Sequence, residues 1–474
     1  MKPWPKLHAF SGRIVMLGCG CIGQGVLPLL LRHVEMPPDR LTIIKPSASG
    51  LDIARAQGVQ CVVQALAPDN LHALLAPRLG RGDLLLNLSV DVASVALLAW
   101  CRNAGVLYLD TCIEPWAGGY LDPTLSAAQR SNHALREAAL ALRLPGPAPT
   151  AVITHGANPG LASHFVKQAL LNVAAAVAAP TAAPLTREGW ARLAQTLGVR
   201  AIHIAEHDTQ TGPARKTHGE FVNTWSSEAF VDEGTQPAEL GWGSHERHFP
   251  PDGARHDSGT PASIYLNRPG AGTRVRSWTP IGGPMHGFLI THAESISIAD
   301  YLTLGAGRTP LYRPTVHYAY HPCDDAVLSL HELAGRNWRI QPRERVLKDE
   351  IGSGIDELGV LLMGQARSTP WAYWYGSQLS IGQARELAPH NSATSLQVAA
   401  GVLAGTVWAL RNPARGIVEP DEMPYDEILA LALPYLGTMA GVATDWTPLT
   451  ERGWLFDEDL DRDDPWQFKN FRVT

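Results

Sequence analysis

Gly18, Gly20 and Gly23 stand in G-x-G-x-x-G spacing directly after four apolar residues, Ile14, Val15, Met16 and Leu17. A helical pattern carrying Val26, Leu27, Leu29, Leu30 and Leu31 starts near Ile22. Strand, glycine turn and helix in that order is the context in which this spacing binds a dinucleotide. Gly18 allows the tight turn, Gly20 lets the backbone approach a pyrophosphate, and Gly23 lets the helix lie close to the strand. The first helical residues, Cys21 and Ile22, then offer free N–H groups and the positive end of the helix dipole to phosphates. The plainer alternative is a glycine turn in an α/β fold with no ligand.

Such a turn needs a parallel sheet to hold it. Short apolar runs at residues 41–44, 59–63, 84–88, 106–109 and 151–154 are expected strands. Helical patterns at 70–79, 92–101 and 127–142 separate them. This alternation predicts an α/β fold with a Rossmann-type, doubly wound parallel sheet. Ligands in such folds sit beyond the carboxyl ends of the strands. The candidate contact segments are therefore 87–91, 110–116 and 156–160, which carry Asn87, Asp91, Asp110, Thr111, Glu114 and Asn158. The pattern changes after about residue 160 to short alternating runs at 202–205, 263–266 and 288–291, as in an α+β unit with antiparallel strands. The expected division is a dinucleotide-binding domain over 1–160 and an α+β substrate or dimerisation domain over 161–474. A late helix near 396–410, stopped by Asn412 and Pro413, is free to pack back on the first domain.

The 474 residues carry a net charge of −6 and no basic run, so a nucleic-acid partner is not expected. No stretch reaches the ~18 apolar residues of a membrane span, and the N-terminus lacks a signal-peptide core, so the cytoplasm is the default. The six cysteines are scattered and suggest neither a disulfide framework nor a zinc site. His317, His321, Cys323 and His331 fit no standard zinc spacing, and no metal is expected.

The chain resembles the bacterial homospermidine synthases of the saccharopine dehydrogenase superfamily. The resemblance rests on NLSVD (87–91), EPW (114–116), GANPG (156–160), AEHDTQ (205–210), FVNTWS (221–226), QPAELGWG (236–243) and HDSG (256–259). It continues through RVRSWTP (274–280), ESISIAD (294–300), HYAYHPC (317–323), GIDELGVLL (354–362), YWYGSQLSI (373–381), TDWTPL (444–449) and DPWQF (464–468). It covers nearly the whole chain, in order. It implies a Rossmann domain joined to an α+β domain and a homodimer. The implied activity condenses two putrescines into homospermidine: NAD-dependent oxidation, imine exchange with loss of ammonia, and re-reduction, with no net redox change.

A linear diamine presents two ammonium heads joined by an apolar chain. Carboxylates and an aromatic face suit it, tryptophan most strongly. Hydride can leave a C–N carbon only when that nitrogen is uncharged, so a buried proton acceptor is needed. On resemblance and position together, Glu114 is the candidate proton acceptor or contact to the reacting amine. Asp91 is a candidate for substrate or cofactor, or else an N-cap for a helix beginning at Val92. Asn158 is a neutral hydrogen-bonding candidate, or a turn residue before Pro159. Trp225 is the candidate cation–π face, against the alternative of a core tryptophan. Glu206 is a further substrate candidate. His292 and Glu294, two apart after an expected strand, would share a face and act together, or form a structural pair. Asp356 is placed to hold the distal ammonium or to cap a helix.

One position departs from the pattern. Rossmann sites commonly carry an acid after the second strand for the ribose 2′-hydroxyl, and the resembled family has Asp there. This chain has Lys45, which weakens the case for strict NAD use and could admit a 2′-phosphate. Two rival readings remain at this stage: a saccharopine- or carboxyspermidine-type dehydrogenase carrying out net reductive amination, and a catalytically silent nucleotide-binding subunit.

Overall fold

The computed structural model describes residues 4–177, 182–366 and 369–473. Six parallel strands, β1 (Ile14–Leu17), β2 (Leu41–Lys45), β3 (Gln60–Val63), β4 (Leu84–Asn87), β5 (Leu107–Asp110) and β6 (Ala151–Val152), lie in the order 3-2-1-4-5-6. The expected doubly wound sheet is present, and the order reverses between β1 and β4, where ligands of this fold class sit. All four residues of β1 are buried. Ile14 and Met16 belong to one apolar cluster, and Val15 and Leu17 to another. A strand covered on both faces must read as a continuous apolar run rather than an alternating one.

A seventh strand comes from far along the chain. Ile417–Val418 pairs parallel to β6 at the edge of this sheet. The helix before it, Ala393–Arg411, packs against Cys21–His33 and β5. Its first turn is closed by a reciprocal Ser392–Ser395 cap. Its small residues permit close approach: a Cβ on Gly401 would stand 2.0 Å from the Gly156 carbonyl oxygen. This helix is long and apolar enough to cross a membrane by length and composition, but 94% of its apolar window is buried inside the protein. It is a core helix, and it supports the loop that carries Asn158 from below.

The second sheet is mixed, with eleven strands among the described residues. At its centre β7 (Val199–Asp208) runs parallel to β8 (Thr315–His321) and antiparallel to β9 (Ile355–Ala366). The expected antiparallel character holds for the β7–β9 pair but not for the β7–β8 pair. The expected strand at 288–291 is instead Gly283–Phe288. Beyond it the chain turns at His292 into the helix Ala293–Tyr301. His292 and Glu294 are thus a helix N-cap and a first-turn residue, not strand neighbours. Asp91 does not cap a helix either: it has φ 64°, and the next helix starts at Ser94 with Ala93 at its N-cap.

Candidate active site

A cavity of about 630 Å³ opens where the two sheets meet. Its wall takes Gly18, Gly20, Cys21, Ile22, Lys45, Thr111, Glu114 and Asn158 from the parallel-sheet side, and Glu206, Trp225 and His292 from the other. The glycine turn is built by close contact. Gly18 has φ +86°, and a Cβ there would stand 2.5 Å from the Leu88 carbonyl oxygen. A Cβ on Gly23 would meet the Gly18 carbonyl oxygen at 2.9 Å, so Gly23 serves helix packing rather than the cavity wall. At Gly20, the N-cap of Cys21–His33, nothing lies within 4 Å of a Cβ position. The backbone of the turn is therefore open to the cavity, as a pyrophosphate requires. These residues fit a dinucleotide.

The far lobe is acidic. Glu114 is 6% exposed, and its Oε2 is buried with no hydrogen-bond partner among the described residues. Burial, and then the neighbouring Glu233 and Asp232 carboxylates, push its pKa well above the ordinary carboxylate range. Glu206 accepts from Asn158 Nδ2 at 2.6 Å and from the Tyr318 hydroxyl. Burial raises its pKa against those two hydrogen bonds. The Tyr318 ring lies 4.6 Å from that of His292. His292 stands between two carboxylates, with Nε2 3.0 Å from Glu233 and Nδ1 3.2 Å from Glu294. Burial would lower the imidazole pKa, but the two carboxylates prevail and hold it up to about 10. Trp225 precedes the helix Ser227–Thr235, whose N-cap Ser226 accepts from the Ala229 N–H. Its indole N–H donates to the Tyr320 hydroxyl at 3.1 Å, which fixes the ring beside the acids.

Other candidates lie behind this wall. Asn87 and Asp110 do not line the cavity: Asp110 accepts from the Thr154 N–H at 2.6 Å and from the Tyr108 hydroxyl at 2.7 Å, and Asn87 accepts from Ser89 Oγ. Both are buried at strand ends, and they brace the loops that reach the cavity. Burial holds Asp110 up to about 7. Asp356 is neither a wall residue nor a helix cap. It sits in β9 opposite Asp208, fully buried, and accepts from the Thr394 hydroxyl. Glu294 stands behind His292, and Asp91 lies off the wall, where its charge adds to the burial that raises the pKa of Glu228 and Asp232.

Glu233 and Tyr318 are among the wall residues not singled out from the sequence, together with Glu228, Glu344 and Lys348. Glu233 lies seven residues after the N-cap Ser226, two helical turns along the same face, and that spacing was a readable signal. Tyr318 had only the alternation of HYAYH to mark it, and its partner Glu206 is supplied by the β7–β8 pairing.

The saccharopine dehydrogenase NADP binding domain model matches residues 14–151, and the saccharopine dehydrogenase C-terminal domain model matches residues 156–444. The homospermidine synthase of Blastochloris viridis is 53% identical over the full length of both chains. That of Mesorhizobium japonicum is 50% identical over 99% of this chain and 98% of its own. The crystal structure of homospermidine synthase from Legionella pneumophila in complex with NAD superposes with a TM-score of 0.91 at 47% identity, covering 98% of each chain. A yeast saccharopine dehydrogenase shares the fold alone, at 11% identity and TM-score 0.53 over 92% of this chain and 100% of its own. With full-length identity of this order and both domains matched in sequence, the chain belongs to the homospermidine synthase family.

Proposed function

We propose that the chain is a homospermidine synthase that joins two putrescines into homospermidine and releases one ammonia. One observation carries the reading: the open glycine turn and the carboxylates Glu114, Glu206 and Glu233 line one cavity. When bound there, NAD supplies the acceptor for the oxidation and the donor for the reduction, so the overall reaction is redox-neutral. The residues of the chain do the rest.

Burial raises the pKa values of Glu114 and Glu206, and repulsion from neighbouring carboxylates adds to it. A diammonium ligand relieves that repulsion, and the two carboxyl groups ionise as it enters. Glu114 Oε2, without a partner of its own, takes the proton that must leave the reacting amine. The face of Trp225 holds the alkylammonium, and Glu206 with Asn158 orients an amine head. His292 remains charged between Glu233 and Glu294 and holds both carboxylates in place. The same burial limits water access, so the imine exchanges with the second amine rather than hydrolysing to a free aldehyde. No arginine lines the cavity among the described residues. A substrate bearing a carboxylate, as a net reductive amination of amino acids would need, finds no such partner in the acidic lobe. The proposal includes a homodimer in the cytoplasm. Light scattering on the purified protein reads the first, and cell fractionation the second.

The test is incubation with NAD and putrescine deuterated at the carbons beside nitrogen, in excess unlabelled NADH. The expected product is homospermidine with its full deuterium count, plus ammonia. Loss of label to the NADH pool, or NADH accumulation matching product, would favour the net-dehydrogenase reading instead.

A further inference from the structure

Lys45, which stands where an acid is usual, has a companion. Lys45 at the end of β2 and Lys348 beyond the strand Arg343–Val346 both line the cavity, and no other lysine or arginine does among the described residues. The Lys45 ammonium donates to the Ser49 carbonyl at 2.7 Å. Neither ammonium is in an ion pair among the described residues. Glu350, the acid that accepts the Lys348 backbone N–H at 2.9 Å, stands 3.8 Å from Arg345. Glu344, the other nearby acid, belongs electrostatically with Glu228 and Asp232.

Both lysines act on the glycine turn. Burial raises the Cys19 thiol pKa, and Lys45 and Lys348 oppose the shift; Lys348 does the same at Cys21. The cavity therefore has two signs, with lysines at the glycine turn and carboxylates in the far lobe. An acid at the end of β2 accepts a hydrogen bond from a ribose 2′-hydroxyl and repels a 2′-phosphate. An ammonium there loses the first interaction and favours the second, because charge-assisted bonds to phosphate are the stronger kind.

We propose that Lys45, with Lys348, forms a receptor for the 2′-phosphate of NADP, so that this chain binds NADP as well as NAD. The inference rests on the reading that the glycine-turn half of the cavity holds a dinucleotide. The full-length protein, freed of bound nucleotide, is titrated calorimetrically with NAD, NADP and two nicotinamide-free probes, 5′-AMP and 2′,5′-ADP. NADP is expected to bind within about tenfold of NAD, and 2′,5′-ADP more tightly than 5′-AMP. Lys45→Asp is expected to weaken NADP and 2′,5′-ADP by about tenfold or more and to tighten NAD. Lys348→Ala should weaken the two 2′-phosphorylated ligands only, and melting curves check that each variant is folded. A wild-type NADP affinity about a hundredfold or more below that for NAD, or a NADP-to-NAD ratio unmoved by Lys45→Asp, would overturn the proposal. Failure of NAD and 5′-AMP to bind at all would remove the dinucleotide reading beneath it, and the proposal with it.

Discussion

The side-chain amide of Asn158 donates to Glu206 Oε2 at 2.6 Å, and this bond joins the two sheets at the cavity. Asn158 belongs to the loop after β6, and Glu206 to the central strand β7. Removing the donor leaves a buried carboxylate with one partner fewer, a cost of about 1–3 kcal/mol. Asn158→Ala should therefore lower kcat/KM for putrescine by roughly tenfold or more. Asn158→Asp should cost more, because two carboxyl groups at this distance must share a proton. Its pH profile should also move to higher pH. Unchanged kinetics in both variants would make the bond a domain strut with no part in substrate binding.

Trp225→Leu keeps an apolar side chain and removes the aromatic face. A desolvated cation–π contact is worth about 2 kcal/mol. Expressed in the transition state, that is a loss of roughly thirtyfold in kcat/KM. Trp225→Phe should fall between the two, since phenylalanine keeps a weaker face. Equal activity of the three folded proteins would assign the indole to packing against Phe230, whose ring lies 5.1 Å away.

Glu114 must be ionised to accept a proton, and its pKa is raised by burial and by Glu233. Activity should therefore fall as the pH drops through that raised value, on an acid limb well above the ordinary carboxylate range. Glu114→Gln should remove the limb and lower kcat by about 10²- to 10⁴-fold, with bound NAD retained. A variant that keeps the acid limb would assign it to another group, with Glu206 the first to examine.

Arg136 ties distant parts of the chain together. Its side chain, in the helix Asn132–Leu140, bonds Glu419 at 2.6 and 2.7 Å and Asp300 at 3.1 Å. Arg136→Met would leave the buried Glu419 carboxylate without its cation, while Asp300 keeps Arg187, and breaking a buried pair from one side costs about 3–5 kcal/mol. Denaturant unfolding should show that loss. Arg136→Lys should recover only part of it, because an ammonium cannot reproduce the fork to Glu419.

The glycine turn was legible in the sequence because its strand, turn and helix follow one another directly. Strand, turn and helix occupy Ile14 to His33 without interruption, and the steric demands at Gly18 and Gly23 come from chain a few residues away or from the adjoining strand end. The doubly wound sheet was legible for a related reason: strands buried on both faces must be apolar throughout. The motif residues Glu114, Asn158, Glu206, Trp225 and His292 could be named as candidates, and all of them line the cavity.

What only the tertiary structure decided was which face each candidate presents. Asp110, Asn87, Asp356 and Glu294 are polar residues in the right segments, but their side chains point to Thr154, Ser89, Thr394 and His292. Along a strand that choice alternates with each residue, and it is settled by pairing register and neighbours rather than by residue type. The seventh strand of the parallel sheet shows the same limit, since Ile417–Val418 lies hundreds of residues from the rest. So does the acidic lobe: Glu114, Glu206, Glu233 and His292 come from four separate elements. The raised pKa values of Glu114 and Glu206 exist because folding buries those carboxyl groups, and that of His292 because folding sets it between two carboxylates.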